Sequence, residues 1–350
     1  MVCLLIGSAC AGKPQKSSSP DQPATESVEL DPVTTAEGFL RDGKPEAALA
    51  IFHQEIGRRP KDYQMHYGRG VALQSLDRPK DAIAAWETTL QLKPDFVPAL
   101  NGIGASEYDL GNYQKSAEIL RRAVEISPTF ADAQFNLGLA LRESGQLDLA
   151  FQALQKAHQL KPNDAEIYLA MADIYAQQNQ WANALEQTKL AVQVAGDQIH
   201  VHYAHGRMLL QNRTYGEAIH EFELVLAQKP ELHEARLAMA RALVGADRIP
   251  EAVEQFSQLT KQLPQEAVIW SEWGAALAKQ GKLAGEDGAL QKFEQALTLD
   301  KNLASAHLRK VHTLNALHRC KDVDIAVQAA QGVSPGVKNQ LQTMARACKK

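Results

Sequence analysis

The chain has 350 residues, of which 45% are hydrophobic and 22% charged, an ordinary balance for a folded protein whose length alone suggests about two domains. A net charge of -4 and a pI near 6.3 supply no basic field for counterion release, which argues against nucleic acid as a principal partner. The four cysteines stand at 3, 10, 320 and 348 with none between, a spacing that fits neither a multi-cysteine zinc site nor a CxxC redox motif. No run reaches the ~18 consecutive apolar residues of a membrane-crossing helix.

The first twelve residues are the most apolar stretch, and Gly7, Ser8 and Ala9 precede Cys10. This resembles the end of a bacterial lipoprotein signal, in which small residues admit the peptidase and the cysteine thiol takes a diacylglyceryl group. The stretch lacks the positively charged start of a secretory signal, and Gly7 stands where the lipoprotein motif usually has Leu. The resemblance implies a signal over 1–10 ending at the lipidation residue Cys10, and a membrane anchor. Residues 11–31 are rich in Ser, Pro and charge, the composition of a disordered tether. With Ala11 after the cysteine, the sorting rule of such lipoproteins implies the outer membrane, facing the periplasm. The alternative is a disordered N-terminus with an incidental Cys10, which leaves a cytoplasmic protein.

Beyond the tether the sequence keeps time. Pro60, Pro94, Pro128 and Pro162 are 34 residues apart, Gly196 takes the next beat, and Pro230 and Pro264 follow. Small residues recur in the same step at Ala36, Gly70, Gly104, Gly138, Ala172, Gly206, Ala240 and Gly274. A second small row runs from Ala48 through Ala82, Ser116, Ala150, Ala184 and Ala218 to Ala252. Four residues after its members stand large side chains such as Phe52, Trp86, Leu120, Leu154, Phe222 and Phe256, with Thr188 the weak member. Turn signals such as "LGNY" at 110–113 and "SGQL" at 144–147 separate the rows, and apolar residues at helical spacing flank them. Each period therefore predicts two short antiparallel helices that approach closely through small residues, closed by a proline that cannot continue the second helix.

The rows resemble the tetratricopeptide repeat, with small residues at positions 8, 20 and 27 and Pro at 32. The resemblance implies an all-α fold, a right-handed α-solenoid of about nine helix hairpins over 32–337, with repeats starting near 29, 63, 97, 131, 165, 199, 233, 267 and 304. The eighth repeat carries a three-residue insertion in "GKLAGEDGAL", and the ninth is degenerate, with Val311 at the small position. A capping helix over 338–350 is expected to cover the last apolar face. If the ninth repeat ends near Pro335 and this helix folds back, Cys320 and Cys348 reach the same height. That juxtaposition suits a disulfide in an oxidising compartment, the alternative being two unrelated thiols.

On the first helix of each repeat, positions 2, 5, 9 and 12 share one side. In the family that side lines a concave groove for peptides or protein segments. Here it presents Tyr67, Tyr108, Phe135, Leu169, Tyr203 and Leu237 together with Arg142, Arg207 and Arg241, with Arg207 and Arg241 expected as neighbours. Aromatic anchors beside arginines suit an extended or helical protein segment with some negative charge; the alternative is that these rows are partly inter-repeat core. The Lys and Asn clamp of chaperone-tail binders is missing, which disfavours an Hsp70 or Hsp90 tail. His202 and His205 could face one metal, but both fall at packing positions and no third ligand is signposted. The glycines of "GRG" at 68–70 and "GIG" at 102–104 sit inside predicted helices, where they cannot cradle phosphate. No catalysis, cofactor, metal or small-molecule substrate is expected. The family's implication is a non-catalytic interaction scaffold assisting a pilus, secretion or polysaccharide assembly. The alternative is a regulatory or substrate-presenting subunit of an envelope enzyme.

Overall fold

The computed structural model describes residues 31–348, so the signal, Cys10 and all of the tether but Asp31 lie outside the described residues. Among the described residues there are nineteen α-helices and no strand, an all-α solenoid architecture. The chain divides into two compact units at Pro94 and Asp95.

The first unit holds two hairpins, α1 (Pro32–Arg41) with α2 (Pro45–Arg58) and α3 (Tyr63–Ser75) with α4 (Pro79–Leu92). The second holds seven. They pair α5 (Val97–Asp109) with α6 (Tyr113–Ile126), α7 (Ala131–Glu143) with α8 (Leu147–Leu160), and α9 (Ala165–Gln177) with α10 (Trp181–Ala195). Next come α11 (Ile199–Gln211) with α12 (Tyr215–Gln228), α13 (His233–Gly245) with α14 (Ile249–Gln262), α15 (Ala267–Lys279) with α16 (Ala289–Leu299), and α17 (Ala304–Ala316) with α18 (Cys320–Ala329). A last helix, α19 (Pro335–Cys348), packs on α17 and α18.

Each hairpin is locked by a slot. A Cβ added at Gly104 would lie 2.4 Å from Leu120 Cγ, at Gly138 2.6 Å from Leu154 Cγ, and at Gly274 2.6 Å from Phe293 Cε1. The large residue of the second helix thus fills the space that the small residue of the first leaves open, and Leu120, Leu154 and Phe293 are completely buried. In the ninth repeat Val311 takes the small position and is fully buried, and Val327, at the position of the large residue, packs against the same core cluster.

The turn inside every hairpin has a residue in the left-handed region just after its first helix, and the longer eighth turn adds Gly285. The recurring residue is Gly43, Asp77, Gly111, Gly145, Asn179, Arg213, Asp247, Gly281 and His318 in turn, with φ between 55° and 82°. The next residue's N–H reaches back to the carbonyl five residues earlier, as in Asn112 to Glu107 (2.8 Å) and Thr214 to Leu209 (2.9 Å). These are Schellman closures. Only four of the nine turn residues are glycine, which is why glycine-based turn signals exposed some turns and missed others.

A second tie joins successive hairpins. The side chain at position 4 of a repeat donates to the carbonyl six residues earlier, in the turn that follows the preceding helix. His66 reaches Pro60 (2.8 Å), Gln134 reaches Pro128 (3.2 Å), and Tyr168 reaches Pro162 (3.0 Å). His202 meets Gly196 (2.8 Å), Arg236 Pro230 (2.8 Å), Trp270 Pro264 (2.9 Å) and His307 Lys301 (2.9 Å). Position 4 reads from sequence as a packing position; in the structure it is a latch that gives a donor to a carbonyl of the turn between hairpins.

The C-terminal end departs from the sequence expectation in its boundaries. The second helix of the ninth repeat stops at Ala329 and the capping helix already begins at Pro335, since proline is well placed to open a helix. Leu341, Val311, Leu314 and Val323 form the core beneath this cap. Cys320 and Cys348 are joined in a disulfide with Cα atoms 5.6 Å apart.

Candidate protein-binding face

The first helices of the second compact unit carry two runs of side-chain contacts from repeat to repeat, one over α5 to α9 and one over α13 to α17. Asn136 Nδ2 donates to Asn101 Oδ1 (2.9 Å), linking α7 to α5. Arg142 on α7 reaches Asp173 on α9 (2.8 Å) and also grips Glu143 (2.7 Å). Asp173 feels the charge of Arg207 on α11. Arg241 on α13 forks onto Glu272 of α15, with Nε to Oε2 at 2.9 Å and Nη2 to Oε1 at 2.6 Å. Arg309 on α17 then donates to Ser271 Oγ of α15 (3.0 Å).

The residues singled out in the sequence take different places along these helices. Tyr67 belongs to the first compact unit, half-buried on α3, where burial raises its phenol pKa. Tyr108 lies edge-on to Tyr113 with centroids 5.3 Å apart. Phe135, Leu169 and Leu237 are half-buried, and Tyr203 leans on Phe222 with centroids 6.1 Å apart. Two members of the same row, Asn101 and Ser271, are fully buried, so at those repeats the row is inter-repeat packing.

The arginines differ from one another. Arg142 and Arg241 are held by neighbouring carboxylates, and the bond to Glu272 raises the pKa of Arg241 against the opposing effect of burial. Arg207 is exposed, with its guanidinium carbon 5.9 Å from the centroid of the Tyr203 ring. No contact between Arg207 and Arg241 is seen among the described residues; each interacts with an acid on a neighbouring repeat instead. Two functional candidates, Glu272 and Arg309, stand at position 6, which the sequence reading left out of the face. Their signal was a charged residue where most repeats have Gly or Ala. Burial pushes the Arg309 guanidinium below the usual arginine value; attraction by Glu272 opposes this and repulsion by Arg241 adds to it.

His202 and His205 hold no metal arrangement: no group of three His, Cys, Asp or Glu side chains suited to a metal occurs among the described residues. His202 binds Glu221 (2.6 Å) and the Gly196 carbonyl, while His205 Nδ1 meets Thr188 Oγ1 (2.7 Å) beside the weak slot of the fifth repeat. No described helix is long and apolar enough to cross a membrane.

Paired antiparallel helices, slot-packed within hairpins and latched between them, define an α-solenoid of repeated hairpins. The chain is a tetratricopeptide-repeat protein. A model described as TPR repeat matches residues 104–142 and 138–179, and two described as Tetratricopeptide repeat match 33–95 and 209–279. Over 75 residues it is 33% identical to the Hsp70-Hsp90 organizing protein of Triticum aestivum, covering 21% of this chain and 13% of that protein. Over 85 residues it is 31% identical to the peroxisomal targeting signal receptor of Candida glabrata, covering 24% of this chain and 14% of that one. The match thus spans about one seventh or less of these relatives' length. The solved Cut9–Hcn1 hetero-tetramer of APC/C superposes over 81% of this chain and 55% of its own, with a TM-score of 0.57 at 12% identity, a likeness of fold alone.

Proposed function

We propose that this protein is a non-catalytic scaffold that holds a segment of another protein along the first-helix face of its second compact unit, and that it does so as a lipid-anchored component of a bacterial envelope assembly. The observation that carries the reading is the pair of polar contact runs along this face, Asn101 through Asp173 and Arg241 through Arg309, with Tyr203 and Arg207 of α11 between them, a long surface rather than an enclosed pocket. Such a surface suits a polypeptide better than a small molecule, which binds in a concave, mostly apolar site. The names of both sequence relatives are those of proteins that organise or receive other proteins. The envelope location rests on Gly7, Ser8, Ala9 and Cys10, and through them on the resemblance to a lipoprotein signal.

Crosslinked affinity purification from intact cells tests both parts. Capture of an envelope complex, weakened when Arg207→Glu and Arg241→Glu are combined in a chain that still melts cooperatively, supports the scaffold. Capture indifferent to those changes removes this face from the interaction. Labelling with a palmitate analogue that disappears in Cys10→Ser supports the anchor, and absence of label leaves a cytoplasmic adaptor.

A further inference from the structure

The face has a charge polarity along the solenoid. Positions 2, 5, 6, 9, 12 and 13 of each first helix lie within about 120° of arc. Across repeats three to five they carry the carboxylates of Asp109, Asp132, Glu143, Glu166 and Asp173 against the single guanidinium of Arg142. Across repeats six to nine the balance inverts, with Arg207, Arg241, Lys279 and Arg309 against Glu234 and Glu272. Pairing occurs in both halves: Arg142 holds Glu143 and Asp173, Lys161 meets Asp132 and His200 meets Glu166, while Lys279 meets Asp247 and the fork of Arg241 engages Glu272, which leaves Arg309 with a neutral hydroxyl as its hydrogen-bond partner. Phe135, Leu169, Tyr203 and Leu237 lie between the two ends as half-buried apolar contacts.

We infer that this face selects a polypeptide segment of two-signed charge, with basic residues against repeats three to five and acidic residues against repeats six to nine, so that charge fixes the direction in which the segment lies. The inference rests on the scaffold reading and adds the chemistry of the partner to it. Packed helices are about 8–10 Å apart, so three repeats span more than the Debye length of about 8 Å at physiological salt. Each end of a bound segment therefore senses its own half of the face. A uniformly acidic segment gains at Arg207 and Arg309 and is repelled at Glu143, Glu166 and Asp173. A uniformly basic one meets the reverse.

The test uses the full chain and three fluorescein-labelled synthetic peptides of about twenty residues. All share a central Leu and Tyr block; one has lysines at one end and glutamates at the other, one has glutamates at both ends, and one lysines at both. Anisotropy at low salt should show the two-signed peptide binding at least about tenfold tighter than either uniform peptide, and high salt should erase the difference. A benzophenone at the glutamate end should crosslink within residues 199–316, and one at the lysine end within 97–177. Arg207→Glu combined with Arg309→Glu should convert the preference to the all-lysine peptide. That gain of binding needs a folded protein, so loss of fold cannot imitate it.

Equal binding of all three peptides, no binding of the two-signed peptide at low salt, or both ends crosslinking to the same half would each overturn the inference. Cellular capture that persists through charge reversal of this face, as Glu143→Lys with Glu166→Lys, would also overturn it while leaving the scaffold itself in place.

Discussion

The imidazole of His202 sits between two acceptors, the Glu221 carboxylate at 2.6 Å from Nδ1 and the Gly196 carbonyl at 2.8 Å from Nε2. Only a doubly protonated ring can donate to both. Burial, the largest influence, works against that charge, but the bonds to Glu221 and Gly196 together outweigh it and the pKa is raised above the ordinary 6.5. Glu221 is the charge facing the ring from α12, and among the described residues the other helices packed on α11 present no further charge to it. A raised pKa means that the stabilisation is fully present below the ordinary value and is lost as pH rises through the folded-state value. Urea midpoints should therefore fall from pH 6 toward alkaline pH, and His202→Gln should flatten that part of the profile. Glutamine retains the latch, as Gln134 does at Pro128. An unchanged slope in the variant would assign the pH dependence elsewhere. At this scale the sequence was half legible. Position 4 was placed on a helix and identified as buried, but its donors, which run through His, Gln, Tyr, Arg and Trp, share a geometry and not a residue type. Arg309 and Glu272 escaped for a related reason: which side of a helix meets its neighbours is decided by the crossing of the next repeat, which a single helical wheel does not contain.

At the scale of the element, the hairpin is fixed by a few contacts of opposite character. The slots were read directly from the period, because only a small residue tolerates the approach and the tolerance repeats every 34 residues. Gly274 is the sharpest case: an added Cβ would stand 2.6 Å from Phe293 and 3.0 Å from the Ala289 carbonyl, and a backbone atom cannot step aside as a side chain can. Gly274→Ala gains up to about 1 kcal/mol of helix propensity. Overpacking should outweigh it and leave a net loss of about 1–2 kcal/mol. Chemical denaturation of the variant would show it, and stability equal to or above the parent would mean that α15 and α16 can separate without penalty. The turns were less legible. Asp77, Arg213 and His318 adopt a conformation that favours glycine, and the closing hydrogen bond holds them there against their local preference.

For the whole molecule, the terminal helix and its disulfide close an end that the repeats leave apolar. Linking residues 28 apart removes about 3.6 kcal/mol of chain entropy from the unfolded state. Reduction of Cys320–Cys348 should accelerate hydrogen exchange over 335–348 and the adjoining α17 and α18, and leave exchange in residues 31–94 unchanged. Equal protection in both redox states would show that the core around Leu341 suffices alone. The architecture was almost wholly legible because a solenoid repeats one solution, and each repetition corroborates the others. The end was less so: with no further repeat to compare, the start of α19 had to be judged from one proline. The segment between Gly281 and Gly288 shows what this plan permits. Extra residues there are absorbed in a surface turn whose Ala289 and Leu290 amides still bond back to Lys282 and Leu283, and α16 begins without distortion. That turn is a natural attachment point for a fluorophore or a grafted reporter, a handle that leaves both the first helices of the repeats and the Cys320–Cys348 bond in place.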